Sequence, residues 1–231
     1  DREEALSFGS HPAYSAGTFI RMSYSPQVDK SHYKGLAYRS LERWNSYWHQ
    51  LALVRASSPK EVLEVGVGEG VVATELRRGG ILVTTIDIAQ DLSPDVLGSV
   101  TKLPFENQSF DSVLAAEVLE HIKYEDVPQA LSELVRVARR SVVLSLPHPG
   151  YVFSFIFKVP LIPRVELFLQ LPFFWMKHKF NGEHYWELGK LSYSFRAFLA
   201  LTRQAGLELL QYKRYADDPA HRYFVFRVSK S

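Results

Sequence analysis

The sequence has no cysteine, no long apolar run and no large excess of charge of either sign. Without cysteine among its 231 residues, the chain forms neither disulfides nor thiolate metal sites, which fits a reducing compartment and leads us to expect a cytoplasmic protein. No apolar stretch reaches the roughly 18 residues that a membrane-spanning helix needs. A formal net charge of +2 gives no electrostatic reason to expect nucleic acid as a partner.

The beginning of the chain also lacks two common features. The first residues, DREEALSFGS, contain neither the basic nor the apolar region of a signal peptide, so we expect none. They include no initiator methionine, which suggests that further residues precede Asp1. The length, with 46% hydrophobic and 23% charged residues, suits one globular domain with an elaboration.

Strand-like and helix-like segments alternate through the middle of the sequence. This alternation predicts right-handed crossovers and therefore an α/β fold with a doubly wound, mostly parallel sheet and helices on both faces. Two more strand-like segments, LELLQYKRY and RYFVFRV, predict an antiparallel C-terminal hairpin. The predicted elements are strands at 61–65, 81–87, 95–100, 110–117 and 141–146, and helices at 71–78, 127–138 and 191–206.

The composition divides the chain into two parts. Residues 1–57 form an N-terminal arm and a covering helix, predicted from Tyr38 to Ala56 by apolar residues at helical spacing. Residues 58–231 form the main domain, in which an aromatic and proline-broken segment at about 148–190 is an insertion that serves as a lid or substrate region.

Three glycines directly follow the first predicted strand, in the stretch EVLEVGVGEG. Glycine inside an element costs roughly 0.5–1 kcal/mol relative to alanine, so Gly66, Gly68 and Gly70 need a reason. In a parallel sheet the first strand-to-helix turn is where ligands approach the backbone and meet unpaired N–H groups. A dinucleotide fingerprint would need glycine at position 71, where the chain has Val71, and this argues against an NAD-dependent oxidoreductase.

The pattern from Glu64 to Gly70 instead resembles the first motif of the class I S-adenosylmethionine-dependent methyltransferases. The segment LPFENQSFD at 103–111 is similar to the family's L-P-F-x-x-x-S-F-D segment, and AAEVLEHI at 115–122 contains its frequent Glu-His pair. The resemblance, close to the type 11 members, covers about residues 59–147. It implies a Rossmann-like seven-stranded sheet and S-adenosylmethionine as cofactor, with S-adenosylhomocysteine as product.

The resemblance also implies roles for individual residues around the cofactor. Asp87, at the end of the second strand, is expected to accept hydrogen bonds from the ribose hydroxyls. Ser99 stands where many members have an adenine-binding Asp, so this contact is a departure. His121 either packs or faces the pocket as a catalytic candidate. The expected cofactor-binding residues are Glu64, Gly66, Gly68, Gly70, Asp87, Ile88, Ser99, Val100, Glu117 and Leu119.

The insertion carries the remaining candidates for substrate handling. His148 follows the fifth strand, and His184 lies in NGEHYWELG, so both are candidate proton acceptors. Glu183, Tyr185 and Trp186 are candidate substrate-binding residues. Residues 151–180 are apolar with interspersed cations, a pattern that fits a peripheral membrane contact, a lipid-linked substrate, a homodimer contact or packing on the domain.

These observations lead to a methyltransferase that acts on a small-molecule or glycan/lipid-linked acceptor. Oxygen is favoured over nitrogen because no D/N-P-P-Y/F motif comes after the fourth strand. A non-catalytic S-adenosylmethionine-binding regulatory or scaffold protein of the same fold is the alternative. No metal is expected, since the histidines and acids show no ligand spacing on one element.

Overall fold

A central sheet with helices on both sides accounts for most of the chain. The computed structural model describes residues 24–27, 30–35, 40–162 and 165–229. In chain order the helices and strands are α1 (Leu41–Arg55), β1 (Glu61–Val65), α2 (Val71–Arg78), β2 (Leu82–Asp87), β3 (Val96–Leu97), β4 (Phe110–Ala116), α3 (Val127–Val137), β5 (Ala138–Pro147), β6 (Gly150–Phe157), β7 (Val165–Pro172), α4 (Phe195–Gln204), β8 (Leu207–Tyr215) and β9 (Asp218–Val228).

The main sheet has the strand order β3-β2-β1-β4-β5-β9-β8. Strands β1 to β5 pair in parallel, whereas β9 pairs antiparallel with both β5 and β8. The chain order reverses direction between β1 and β4, which is where an open parallel sheet binds its ligand. The predicted Rossmann-like, seven-stranded fold with an antiparallel C-terminal hairpin is confirmed.

Each face of the sheet has its own hydrophobic core. On one face, α1 and α2 contribute Leu53, Val54 and Leu76 to a cluster of buried side chains. On the other, α3 and α4 contribute residues such as Leu131 and Phe198 to a larger cluster. The strands are therefore covered on both sides, which explains why they read as nearly continuous apolar runs.

Helix α1 differs from the prediction in its buried face. It begins after Ser40, whose Oγ accepts a hydrogen bond from Arg43 N, and residues 36–39 lie outside the described part of the chain. The apolar stripe was expected to face the core, yet the side chains of Trp44 and Trp48 are exposed. The buried face instead carries polar groups that find partners on the C-terminal hairpin: His49 Nε2 lies 2.9 Å from Asp217 Oδ1.

Two other segments also differ from the predictions. The strand expected at 95–100 is reduced to Val96–Leu97, because Gly98 packs against Ile86 and the chain turns at Ser99. The N-terminal arm predicted before the covering helix lies largely outside the described residues. Helix α4 agrees closely with the prediction, with the Ser194 side chain accepting from Ala197 N at its start and Gly206 at φ +89° after its end.

The insertion contains a two-stranded ribbon that the sequence pattern did not predict. Strands β6 and β7 pair antiparallel from Gly150↔Pro172 to Phe157↔Val165 and form a sheet of their own. Among the described residues, none of the helices is both long and apolar enough to span a bilayer.

Candidate active site

A cavity of about 350 Å³ opens at the carboxyl ends of β1, β2 and β4. Its volume is within the range of small-molecule sites. Most of the residues singled out from the sequence meet here. The predicted residues that line it are Glu64, Gly66, Gly68, Asp87, Ile88, Ser99, Val100, Glu117, His121, Glu183 and His184.

The glycine loop after β1 is shaped by three positive backbone angles. Gly66, Gly68 and Gly70 have φ of +80°, +52° and +71°, a region that L side chains rarely adopt. A Cβ on Gly66 would lie 2.6 Å from Val118 Cγ2, so the loop packs tightly against the segment after β4. Gly70 caps α2 and does not line the cavity. The motif is thus two glycines at the cavity wall and one at a helix start.

Asp87 ties the glycine loop to the end of β2. Its Oδ2 accepts a hydrogen bond from Val67 N at 2.8 Å, and its Oδ1 accepts from Ala89 N at 2.9 Å. Burial raises the pKa of Asp87 although these two N–H groups act in the opposite direction. Each carboxylate oxygen can accept a second hydrogen bond, so the ribose role stays a prediction that this geometry permits.

Glu64 is the buried acid beneath the loop. Its side chain is almost completely buried, and Oε2 has no hydrogen-bond partner among the described residues. Burial raises the pKa of Glu64 to about 8, against the opposing effects of Arg77 and of the Ala73 N–H. A buried acceptor without a partner is costly, and a ligand with a cationic or N–H donor would relieve that cost.

Ser99 lies at the opposite end of the cavity, on the turn after β3. Its hydroxyl is buried, lies 2.9 Å from Thr101 Oγ1, and also accepts from Thr101 N at 3.3 Å. The hydroxyl is therefore already engaged within the turn. The predicted adenine contact of Ser99 and Val100 remains a prediction, at a place where both residues line the cavity.

A network of charged groups that the sequence did not reveal surrounds Glu117. Glu117 Oε1 accepts from Ser145 Oγ at 2.7 Å, and Oε2 lies 3.3 Å from His221 Nε2. His221 also lies 2.7 Å from Asp218. Burial opposes protonation of His221, but Glu117 and Asp218 outweigh it and raise its pKa. Only the strand pairing brings His221 to the site. Strand β9 runs antiparallel to β5, so the first residues of β9 lie at the carboxyl end of β5, with His221 opposite Pro147.

Two of the predicted catalytic histidines meet at the cavity wall. The rings of His121 and His184 have centroids 5.0 Å apart and meet edge to face. His121 Nδ1 lies 2.7 Å from Gln27 Oε1, while His184 Nδ1 lies 3.1 Å from Glu187 Oε1. Burial, assisted by His184, lowers the pKa of His121 to about 4, so its imidazole is neutral at pH 7.

Other predicted residues lie outside the cavity lining. Leu119 and Trp186 are fully buried, and Trp186 Nε1 donates to Leu119 O at 2.9 Å, so both are core residues in this structure. Tyr185 packs on Phe180 with centroids 4.6 Å apart. His148 is buried below Gly189 and contacts Gln170 of the ribbon. Their substrate and catalytic roles therefore have no support from the position of the cavity.

Side chains of the N-terminal part contribute to the lining of the cavity. The lining includes Tyr24, Gln27, Tyr33 and Tyr47, whereas Trp44 and Trp48 do not take part. Gln27 holds His121 from both sides, since its Nε2 also donates to His121 O at 2.9 Å. This segment therefore fixes one wall of the site.

Comparison with known proteins agrees with this arrangement. The sequence model of the family described as "Methyltransferase domain" matches residues 63–146. No curated protein sequence matches the chain significantly.

The fold is shared with several solved structures. A S-adenosylmethionine-dependent methyltransferase from Clostridium acetobutylicum is 9% identical, with a TM-score of 0.54 over 87% of this chain and 97% of that one. A TehB-like enzyme from Corynebacterium glutamicum is 17% identical, with a TM-score of 0.53 over 88% and 100%. The 1,6-didemethyltoxoflavin-N1-methyltransferase of Burkholderia thailandensis, solved with S-adenosylhomocysteine, is 15% identical, with a TM-score of 0.52 over 90% and 93%. At these identities the likeness concerns the fold.

The chain has the fold of S-adenosylmethionine-dependent methyltransferases, and its residues 63–146 match the methyltransferase-domain family.

Two independent observations indicate that the residues of the cavity suit S-adenosylmethionine. The Glu64 oxygen that has no partner among the described residues lies at the cavity wall, where a cationic amino-acid end would find an acceptor. A Cβ on Gly68 would meet only Tyr33 Cε1, at 3.8 Å, so the backbone there is open to close approach by a ligand. When bound, the cofactor supplies a methyl group on a sulfonium, and the residues of the chain orient it and exclude water.

Proposed function

We propose that the chain methylates an oxygen of an acceptor that is lipid-linked or carries an apolar chain, which it takes from a membrane surface. The observation that carries this proposal is the β6–β7 ribbon. The glycine loop and Asp87 support the cofactor half of the reaction, and the ribbon supports the identity of the acceptor.

One face of the ribbon is apolar along its whole length. Because alternate residues of a strand point to the same face, the four cross-strand pairs from Tyr151↔Leu171 to Phe157↔Val165 share one side. All eight side chains are exposed by 43% or more. A continuous exposed apolar surface of this kind marks an interaction site rather than ordinary protein surface. The eight residues are Tyr151, Phe153, Phe155, Phe157, Val165, Leu167, Leu169 and Leu171.

Part of the opposite face of the ribbon contacts the domain, while Ser154 and Ile156 on that face are exposed. Gln170 Nε2 donates to His148 O at 2.6 Å, and the guanidinium groups of Arg214 and Arg222 lie 5.3 and 5.5 Å from the centre of the Phe168 ring. These contacts orient the ribbon, so that its apolar face is turned away from the domain. The ribbon also comes directly after Pro147, which lines the cavity.

The charges around the ribbon favour an anionic bilayer over a neutral apolar partner. Residues 150–179 contain four Lys or Arg residues and a single acid, Glu166. Lys158, Lys177 and Lys179 are exposed. Basic residues that flank exposed aromatic and aliphatic side chains are typical of surfaces that bind the interface of anionic membranes.

The segment after β4 makes oxygen the favoured acceptor atom. That segment, Glu117-Val118-Leu119-Glu120, offers carboxylates rather than a motif that grips a planar amino group. Methyl transfer is an in-line displacement in which the acceptor oxygen attacks the methyl carbon and the sulfur departs with the bonding electron pair. Most of the acceleration comes from orientation and exclusion of water, and a hydroxyl must in addition lose its proton.

The membrane half of the proposal is tested by vesicle sedimentation with a matched pair of variants. Leu169→Asp places a charge on the apolar face, whereas Leu82→Asp changes a leucine on β2 that is equally exposed, by 57%. We expect the native chain and Leu82→Asp to sediment with vesicles that contain anionic lipid, and Leu169→Asp to remain in solution. Equal sedimentation of both variants would contradict a role for the ribbon. A dimer that Leu169→Asp dissociates would assign the face to a second copy.

The catalytic half is tested with two acceptors that share one head group. A phenol or sugar hydroxyl carrying an isoprenoid or acyl chain is compared with the same head group without the chain, in the presence of vesicles. We expect at least tenfold higher kcat/KM for the chain-bearing acceptor, and a smaller preference in Leu169→Asp. Equal rates for both acceptors, with and without vesicles, would contradict the proposal.

A further inference from the structure

Three side chains that commonly bind metals meet at the wall of the cavity. Glu120 and His121 lie on the short helical turn Leu119–His121 after β4, and His184 lies in the segment after the ribbon. One potential ligand atom of each residue lies within 4.8 Å of those of the other two. His121 and His184 line the cavity. Glu120 and His121 are adjacent, but His184 lies more than 60 positions further along the chain. A search for metal ligands at a regular spacing within one helix or strand could therefore not find this group.

Glu120 supplies an independent indication that a cation belongs here. Its side chain is fully buried, and among the described residues its carboxylate oxygens accept no hydrogen bond from an N–H group of another residue, while the carboxyl group of Glu117 lies within hydrogen-bond distance. The neighbouring acids Glu117 and Glu187 add negative charge around it. A buried carboxylate is normally paired, protonated or bound to a metal.

The two histidines are oriented as metal ligands usually are. Among the described residues, both partners of His121 Nδ1 are oxygen acceptors, Gln27 Oε1 at 2.7 Å and Glu183 O at 3.1 Å, which favours the tautomer with the proton on Nδ1. His184 Nδ1 likewise faces the carboxylate of Glu187 at 3.1 Å. Both rings therefore keep the lone pair on Nε2, and a hydrogen bond from Nδ1 to a carboxylate or carbonyl is the typical support of a ligating histidine.

The supporting residues are themselves fixed. Glu187 Oε2 forms an ion pair with Lys190 Nζ at 2.6 Å, and His178 Nε2 lies 2.9 Å from His184 O. Gln27 is held by the backbone of His121. The ligand geometry thus does not depend on side chains that are free to rotate.

We propose that Glu120, His121 and His184 bind one divalent transition-metal ion, such as Zn²⁺, Mn²⁺ or Fe²⁺, which holds the acceptor hydroxyl beside the cofactor. Two imidazoles and one carboxylate suit these ions better than Mg²⁺ or Ca²⁺, which prefer oxygen ligands. Three protein ligands leave coordination positions open, as in catalytic sites.

The proposed role of the metal rests on the proposed oxygen methylation. A hydroxyl bound to the ion loses its proton more easily, because the cation stabilises the anionic oxygen. The proton passes to water, the oxygen forms the new bond to the methyl carbon, and the carbon–sulfur bond breaks with its electron pair remaining on sulfur. The products are the methyl ether and S-adenosylhomocysteine. The ion would take over the part of a general base.

Calorimetric titration of the chelator-treated protein with ZnCl₂, MnCl₂ and MgCl₂ tests the site. We expect Zn²⁺ to bind with a stoichiometry of one and micromolar affinity or better, and Mg²⁺ to bind at least 100-fold more weakly. Glu120→Gln and His184→Ala should each lower the Zn²⁺ affinity at least 100-fold. His49→Gln serves as control, because His49 pairs with Asp217 and does not line the cavity.

Titration of the same samples with S-adenosylhomocysteine separates the two proposals. Binding of this product without specific binding of any metal would overturn the metal site and leave the proposed function intact. Zn²⁺ binding that Glu120→Gln and His184→Ala leave unchanged would also overturn it. If Glu120→Gln stabilises the metal-free protein in thermal unfolding but abolishes the Zn²⁺-induced shift, the buried carboxylate is confirmed as a ligand.

Discussion

Replacing Gly66 and Gly70 separately by alanine distinguishes two reasons for the glycines in the loop. Both residues have positive φ, +80° and +71°, so alanine at either position costs roughly 1–2 kcal/mol from backbone strain alone. At Gly66 the added Cβ also meets Val118 Cγ2 at 2.6 Å, whereas at Gly70 no atom of the described residues lies within 4 Å of it. Overpacking of this kind adds roughly 1–3 kcal/mol. We therefore expect Gly66→Ala to destabilise the protein by about 2–5 kcal/mol and Gly70→Ala by about 1–2 kcal/mol.

Urea unfolding monitored by circular dichroism measures both free energies of unfolding. The double variant Gly66→Ala/Val118→Ala removes the clash but keeps the strain, so the cost of the Gly66 change should fall to that of Gly70→Ala when each is compared with its own background. In addition, Gly66→Ala should weaken S-adenosylhomocysteine binding at least tenfold, since the displaced loop lines the cavity. Equal destabilisation by Gly66→Ala and Gly70→Ala, unchanged by Val118→Ala, would refute the packing argument.

Two further predictions concern buried groups. Burial raises the pKa of Glu64 to about 8, so protonation of this side chain favours folding; the contribution to the free energy of unfolding is complete below the ordinary pKa of 4.5 and is lost as the pH rises through about 8. If the ligand requires the ionised carboxylate, the affinity for S-adenosylhomocysteine should rise between pH 6 and 8. Calorimetry on Glu64→Gln should then show an affinity that does not change with pH in this range. Trp186→Phe leaves the Leu119 carbonyl without its donor and should cost about 1–3 kcal/mol in urea unfolding; a large loss of S-adenosylhomocysteine affinity in a folded variant would place Trp186 at the ligand instead.

The sheet and the glycine loop could be predicted from the sequence because the patterns that specify them involve residues close together in the chain. A strand followed by Gly66-x-Gly68-x-Gly70 and an acid at the end of the next strand, Asp87, specify their positions through neighbours in sequence. What the sequence did not show is the structural contact of Asp87, whose carboxylate accepts the Val67 N–H and thereby holds the loop.

The ribbon was missed because its pattern is not a simple alternation. Strand β6 has apolar residues at odd and even positions alike, including Val152 and Ile156, and prolines interrupt the segment on both sides. The exposure of Trp44 and Trp48 was likewise not predictable, since half of the buried residues of α1 are polar and some of them pair with the distant C-terminal hairpin.

The charged groups of the site depend on contacts between remote segments. His221 reaches Glu117 because β9 runs antiparallel to β5, and His184 reaches His121 because the segment after the ribbon returns to the cavity. Neither approach leaves a spacing that a sequence pattern could display. Most residues of the cavity lining were therefore predicted from the sequence, but the pairs that they form were not.

Calorimetric titration with S-adenosylhomocysteine, with NADH as the comparison ligand, tests the central claim most directly. The account predicts one S-adenosylhomocysteine bound per chain with micromolar affinity and no measurable binding of NADH. It further predicts at least a tenfold loss in Asp87→Ala, because that variant removes the acceptor of both Val67 N and Ala89 N. Absence of S-adenosylhomocysteine binding to the native chain, or an Asp87→Ala variant that binds as tightly, would contradict the assignment of this cavity to the cofactor.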